Sequence, residues 1–307
     1  MNLSVQLAPK NERGLLLANP VMTASGTFGY GTENNHLFDI QRLGAIVCKG
    51  TTLEPWDGNP QPRLIETAGG ILNSIGLQNI GVATLIRVKA PVWAKWQVPV
   101  VVNIAGETID DYAKLAGLLD GVAGVSAREV NISCPNIKAG GAEFGASAKS
   151  AAKVTAAVRN ATSLPILVKL APDVSDIAGI AIAVAEAGAD AISLINTLKG
   201  MAIDIGKRKP LLGNITGGLS GPAIKPVALA IVYEVAGAVD LPLVGCGGIA
   251  TAADAIEFIM AGASAIQVGT ASLVNPRAPI DVIEGIEKFM LEEGIEDIAN
   301  LVGAARN

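Results

Sequence analysis

An α/β barrel of eight strand–helix units is the fold class this sequence predicts, on three observations. First, eight short apolar runs of strand length recur along the chain, at residues 19–24, 44–48, 99–104, 129–133, 165–170, 191–195, 242–246 and 265–268. Second, several of these runs end in amides, lysines or glycines, where a barrel keeps its chemistry. Third, one unit echoes another. Ala187-Gly188-Ala189-x-Ala191-Ile192-x-Leu194 returns as Ala261-Gly262-Ala263-x-Ala265-Ile266-x-Val268, and a Leu-Pro-apolar strand precedes each, at Leu164 and Leu241. A length of 307 residues suits one such (β/α)8 TIM barrel with insertions, so a single domain over residues 1–307 is expected.

Composition narrows the function. Half the residues are hydrophobic and only 4% are aromatic, which predicts a core of Val, Ile, Leu and Ala. A net charge of −5 without a Lys/Arg run argues against nucleic acid as a partner. Residues 1–14 lack the apolar region of a signal peptide, and the longest apolar stretch, 177–185, is too short to span a membrane. A cytoplasmic protein is expected. The 3 cysteines are scattered without C-x-x-C, which argues against a disulfide framework or an iron–sulfur cluster in this chain. The single histidine, His36, reads as a surface or packing residue in a helix-like segment, and no metal site is expected.

Taken in order, the first strand leads into the loop Ser25-Gly26-Thr27-Phe28-Gly29-Tyr30-Gly31. The second holds Cys48, read as core, and runs out at Lys49-Gly50, whose ammonium can face a pocket or solvent. Residues 51–98 are too long for a simple link. They contain the turn-rich 56–63 and a polar, glycine-bearing patch at 72–79, and read as an inserted lid or substrate wall after the second strand. The third strand carries Asn103, and Thr108-x-x-Asp111 announces a helix start.

The fourth strand ends in Asn131-Ile132-Ser133-Cys134-Pro135-Asn136, before a glycine-rich stretch. Pro135 lacks an N–H and biases Cys134 towards extended backbone, so the strand stops there. This loop is the candidate catalytic centre, with Cys134 as base or nucleophile. A helix is expected over 147–161. The fifth strand contains Lys169, costly to bury unpaired, and read as a cation aimed at a bound anion. A helix over 175–188 is expected to be capped by Ser175 and closed by Gly188. The sixth strand ends at Asn196-Thr197, followed by a long loop, 198–221, with a solvated basic stretch at Lys207-Arg208-Lys209. The seventh and eighth end in Gly247-Gly248 and Gly269-Thr270, whose backbone N–H groups suit a phosphate. Thr251-x-x-Asp254 caps the helix between them, and a last helix covers about 280–293. With neither G-x-G-x-x-G after the first strand nor a Walker lysine, the phosphate belongs to a mononucleotide-like cofactor or a phosphorylated substrate.

At these residues the chain resembles the dihydroorotate dehydrogenases, flavin enzymes of pyrimidine synthesis, over nearly its whole length. The matching motifs are Ala24-Ser25-Gly26, Leu53-Glu54-Pro55-x-x-Gly58-Asn59-Pro60-x-Pro62-Arg63, Asn73-x-Ile75-Gly76-Leu77-Gln78-Asn79, the Asn131–Asn136 hexapeptide and Gly217-Gly218-Leu219-Ser220-Gly221. Cys134 resembles the soluble class 1 enzymes, where class 2 has Ser. Gln78 and Gly140-Gly141-x-x-Phe144-Gly145 resemble class 1B. Ile80 and Cys48 depart from the usual Pro and Thr and touch no assigned role.

The resemblance implies FMN at the barrel mouth. Ser25, Lys49, Gly50, Asn103, Asn131 and Lys169 would contact it. So would Ile195, Gly221, Gly247, Gly248, Gly269 and Thr270. Dihydroorotate would be held by Lys49, Asn73, Ser74, Ile75, Gly76 and Leu77, with Asn131, Asn196 and Thr197. Cys134 would take the C5 proton while C6 passes hydride to the flavin, and a thiol pKa near about 8.5 makes the rate rise with pH. Lys169 would stabilise the reduced, anionic flavin. The resemblance also implies a partner subunit carrying FAD and a 2Fe–2S cluster that reduces NAD, in a heterotetramer built on a homodimer of this chain. Two other readings of the same residues remain: a dihydropyrimidine dehydrogenase-like reductase, and a phosphate-binding barrel without flavin.

Overall fold

The computed structural model describes residues 1–34, 36–133 and 144–306. All eight expected strands form. They are β1 (Val21–Thr23), β2 (Ile46–Thr51), β3 (Val100–Ile104), β4 (Ala127–Asn131), β5 (Ile166–Lys169), β6 (Ala191–Leu194), β7 (Leu243–Cys246) and β8 (Ala265–Val268). They pair in parallel in the order β1-β8-β7-β6-β5-β4-β3-β2. A parallel bridge between Met22 and Ala45 joins the two ends, so the sheet closes into the TIM barrel. Every strand but β2 is buried along its whole length, which is why these segments read as continuous apolar runs.

The outer helices are α1 (Ile109–Leu119), α2 (Ala148–Ala161), α3 (Ile177–Glu186), α4 (Lys225–Ala236), α5 (Ala252–Ala261) and α6 (Ala278–Glu292). Both predicted capping boxes form, Thr108 with Asp111 and Thr251 with Asp254. Such a cap typically contributes about 0.5–2 kcal/mol. The start of α3 differs from expectation. Asp176 caps it, accepting from the Gly179 N–H at 2.8 Å, because it is the residue directly before the first turn and Ser175 is one position too early. Helix α4 carries Pro226 in its first turn, where the missing N–H costs nothing. Between β1 and β2 the described chain makes turns and a short 3-10 helix, Ile40–Arg42, and His36 is exposed in a turn rather than on a helix. No helix among the described residues is long and apolar enough to cross a membrane.

Two additions complete the barrel. A hairpin of Val5–Gln6 with Leu16–Leu17 buries Leu7 and Leu17, and Asn11 beside it reaches Asp190, just before β6. It therefore sits at the N-terminal end of the strands. At the opposite end lies a four-stranded antiparallel sheet in the order Leu198–Met201, Thr216–Ser220, Gly70–Asn73, Leu64–Thr67. Residues 198–221 are thus not a loop, as the sequence suggested. They supply two strands of this sheet: Leu198–Met201 pairs with Thr216–Ser220, and Thr216–Ser220 pairs with the segment inserted after β2, in the register Gly218 opposite Asn73 and Ser220 opposite Ile71. The glycine run explains both the close pairing and the failure to read it as strand. A Cβ on Gly217 would strike the Asn73 carbonyl, and one on Gly218 would overlap the Thr197 side chain.

Candidate active site

The C-terminal ends of the barrel strands and the antiparallel sheet enclose a cavity of about 1050 Å³. That is at the upper end of the ~300–1000 Å³ usual for small-molecule sites. The structure brings nearly all the sequence-predicted residues to this one space. Ser25 follows β1, Lys49 and Gly50 lie on β2, Asn103 on β3, Asn131 on β4 and Lys169 on β5. Ile195, Asn196 and Thr197 follow β6, while Gly247, Gly248, Gly269 and Thr270 follow β7 and β8. From the sheet come Asn73, Ile75, Gly76, Leu77 and Gly221. Ser74 is the exception: it is fully buried behind the wall, its hydroxyl without a partner. Cys134, Pro135 and Asn136 lie outside the described residues.

Amides make a connected floor. Asn131 Nδ2 donates to Asn103 Oδ1 at 3.4 Å, and Asn131 Oδ1 accepts from the Ser133 N–H at 3.3 Å. Asn196 Nδ2 donates to Ser133 Oγ at 2.9 Å, and the Tyr112 hydroxyl of α1 donates to the Asn131 carbonyl at 2.8 Å. On the sheet side, Asn73 Nδ2 donates to the Gly218 carbonyl at 3.2 Å. Leu77 adopts a left-handed φ of 55° in the wall, and Asn79 holds that loop. Its Nδ2 donates to the Leu77 carbonyl and to Thr52 Oγ1, both at 2.8 Å, and its Oδ1 accepts from the Gly81 N–H.

Two cations reach the cavity with opposite settings. Burial, with a smaller push from Arg63, holds the Lys49 pKa below the ordinary lysine value. Among the described residues Lys49 has no carboxylate within ion-pair distance. Burial also works against the charge of Lys169, but Cys246 and Glu129 outweigh it and its pKa is raised. Its Nζ lies 3.1 Å from Gln267 Oε1, 3.9 Å from Cys246 Sγ and 3.9 Å from Glu129 Oε1. Since burial keeps the Cys246 thiol protonated to higher pH than usual, we assign the ionic support of Lys169 to the Glu129 carboxylate. Cys48 is core, as expected, its thiol pushed up to about 12 by burial.

Sequence reasoning missed Glu129, Ser193 and Gln267, all buried inside the barrel beside Lys169. A signal was present. The cost of a charged residue within an apolar strand, which singled out Lys169, applies equally to Glu129. Alternation along β4 then places Glu129 on the same face as Asn131.

The residues fit a phosphate-bearing, ring-shaped cofactor such as a flavin mononucleotide. Gly221 and Gly247 have φ of 99° and 136°, and a Cβ on Gly269 would approach the Ala24 methyl to 3.3 Å, so this rim is backbone with little side chain above it. Gly248 has a further reason to be glycine: at φ 76° a Cβ would meet the Lys225 backbone N at 2.8 Å, so helix α4 itself requires its absence.

The dihydroorotate dehydrogenase family model matches residues 9–290. A Desulforamulus reducens protein named dihydroorotate dehydrogenase B (NAD(+)), catalytic subunit, is 57% identical over 305 residues, 99% of each chain. Proteins of the same name from Desulforudis audaxviator and Geobacter sulfurreducens are 57% and 51% identical, over 95% and 99% of this chain and 95% and 98% of theirs. Since the matched span carries all eight barrel strands and every described residue of the cavity, the chain belongs to the dihydroorotate dehydrogenase family.

Proposed function

We propose that this chain, as a single FMN-binding domain over residues 1–307, oxidises dihydroorotate to orotate in pyrimidine biosynthesis. The observation that carries the reading is one cavity joining a floor of amides and lysines to a glycine rim. The floor suits a ligand that is both an imide and a carboxylate; the rim suits a phosphate.

Bound FMN supplies the hydride acceptor for C6 of the substrate. The chain's own residues do the rest. Lys49 pairs with the substrate carboxylate, and its half-buried ammonium, with no carboxylate within ion-pair distance among the described residues, is available for that contact. Asn73, Asn131 and Asn196 hydrogen-bond the pyrimidine ring, while Ile75, Gly76, Leu77 and Thr197 close the wall. Ser25, Gly50, Asn103 and Ile195 would hold the flavin ring, and Gly221, Gly247, Gly248, Gly269 and Thr270 would hold its phosphate. Lys169 would place its positive charge beside the flavin, where it would favour an anionic ring. Cys134 takes the proton from C5, so that loss of proton and hydride leaves the ring double bond of orotate. The relatives are named catalytic subunits of an NAD(+) enzyme. By that likeness we assign this chain a partner subunit with FAD and a 2Fe–2S cluster, in a heterotetramer around a homodimer.

Two measurements test the reading. The purified chain should show flavin absorbance that orotate perturbs on titration; a colourless chain that takes up no FMN contradicts it. The FMN-loaded chain alone should reduce NAD poorly and gain that activity when the partner is added. Rapid partner-free NAD reduction contradicts the two-subunit assignment.

A further inference from the structure

Below the cavity floor, Glu129 is the hub of a fully buried network. It accepts from Asn103 Nδ2 at 2.7 Å, Gln267 Nε2 at 2.6 Å and Ser193 Oγ at 3.0 Å, with Lys169 Nζ at 3.9 Å. These partners come from β3, β8, β6 and β5, so the carboxylate ties together strands from around the barrel. It does not line the cavity; Asn103 and Lys169, which it holds, do.

An ionised carboxylate only accepts hydrogen bonds, whereas an amide fits either way round. Glu129 therefore decides which way two amides point. Asn103 must turn its NH2 down, leaving Oδ1 to accept from Asn131 Nδ2 and to lie 3.0 Å from where a Gly50 Cβ would stand. Gln267 must give its NH2 to Glu129, leaving Oε1 for Lys169. The same carboxylate opposes the lysine's charge at close range, where low polarity makes the interaction strong.

Building on the flavin reading above, we infer that Glu129 is a positioning residue that touches neither substrate nor cofactor. It fixes the polarity of the cavity floor through Asn103 and moderates the positive field of Lys169, and so sets the reduction potential of the bound flavin.

The test compares the midpoint potential of bound FMN in the wild type and in Glu129→Gln, Glu129→Asp and Ser193→Ala. Glu129→Gln keeps the shape and removes the charge. Unopposed, Lys169 should favour reduced over oxidised flavin about tenfold more, a positive shift of about 30 mV for a two-electron couple. Glu129→Asp keeps the charge and should stay within about threefold of the wild-type ratio. Ser193→Ala removes a donor that neutralises the carboxylate, so its shift should be smaller and negative. If Glu129→Gln does not fold, the sign for Ser193→Ala decides. A wild-type potential in folded, flavin-loaded Glu129→Gln, or no shift in Ser193→Ala where it decides, overturns the inference and leaves the flavin reading standing. Failure of the wild-type chain to bind FMN defeats both.

Discussion

The two walls of the cavity place polar groups by different means. On the barrel wall, side chains do it: Asn103, Asn131 and Lys169 project from rigid, fully buried parallel strands and are locked by neighbours. On the sheet wall, backbone does it. The Gly217-Gly218 pair lets two strands approach, and Asn79 holds the carbonyl of a left-handed Leu77. Chemistry therefore resides on the barrel wall and shape on the sheet wall. Changes on the barrel wall should alter reaction or charge with the shape kept, and changes on the sheet wall should alter fit with the chemistry kept.

The greatest loss should come from the residue just past β4 and Ser133 in the sequence. Cys134→Ala, after β4, should keep FMN and orotate binding and slow flavin reduction by dihydroorotate by about 10²–10⁴. Stopped-flow reduction at the wild-type rate contradicts the assignment of the base.

Lys49→Gln should weaken orotate by roughly ten- to a hundredfold, as expected for loss of a charge-assisted hydrogen bond of about 1.5–3 kcal/mol. The pH dependence follows from the direction of its shift. The protonated form binds the carboxylate, and the folded pKa is below the ordinary 10.5, so wild-type orotate affinity should fall in alkaline solution before that value is reached. Lys169, shifted upwards, keeps its charge over that window. The Lys49→Gln variant should bind weakly with no such fall; a parallel pH profile contradicts the role.

On the sheet side, Gly218→Ala should push Thr197 aside. Orotate affinity should fall about tenfold, consistent with the ~1–3 kcal/mol of overpacking, with FMN content unchanged. Loss of FMN with undisturbed orotate binding would reverse the comparison.

The smallest effect is an expected lack of one. Cys48 and Cys246 are buried, with thiols shifted upwards, and iodoacetamide at mildly alkaline pH should leave both unmodified. Peptide mass spectrometry should find the Cys48 and Cys246 peptides unlabelled.

The same contrast governs what the chain reveals before folding. The barrel wall was legible because buried parallel strands are unbroken runs of Val, Ile and Leu, so an Asn or Lys at their ends stands out. The sheet wall was legible only as motifs. Thr216–Ser220 is rich in glycine and Leu64–Thr67 is half exposed, and neither carries a strand signal without its partner. The Val5–Gln6 hairpin is too short to register as a period. Glu129 went unread because it opens the apolar run 129–133, and its importance depends on Ser193 and Gln267, 64 and 138 residues further on.

The central claim is that this cavity oxidises dihydroorotate on a bound flavin. Mixing the FMN-loaded chain anaerobically with dihydroorotate, while following flavin absorbance and orotate, tests it most directly. The oxidised-flavin absorbance should disappear and orotate should appear in proportion to the flavin reduced. Flavin that stays oxidised in the presence of excess dihydroorotate would contradict it.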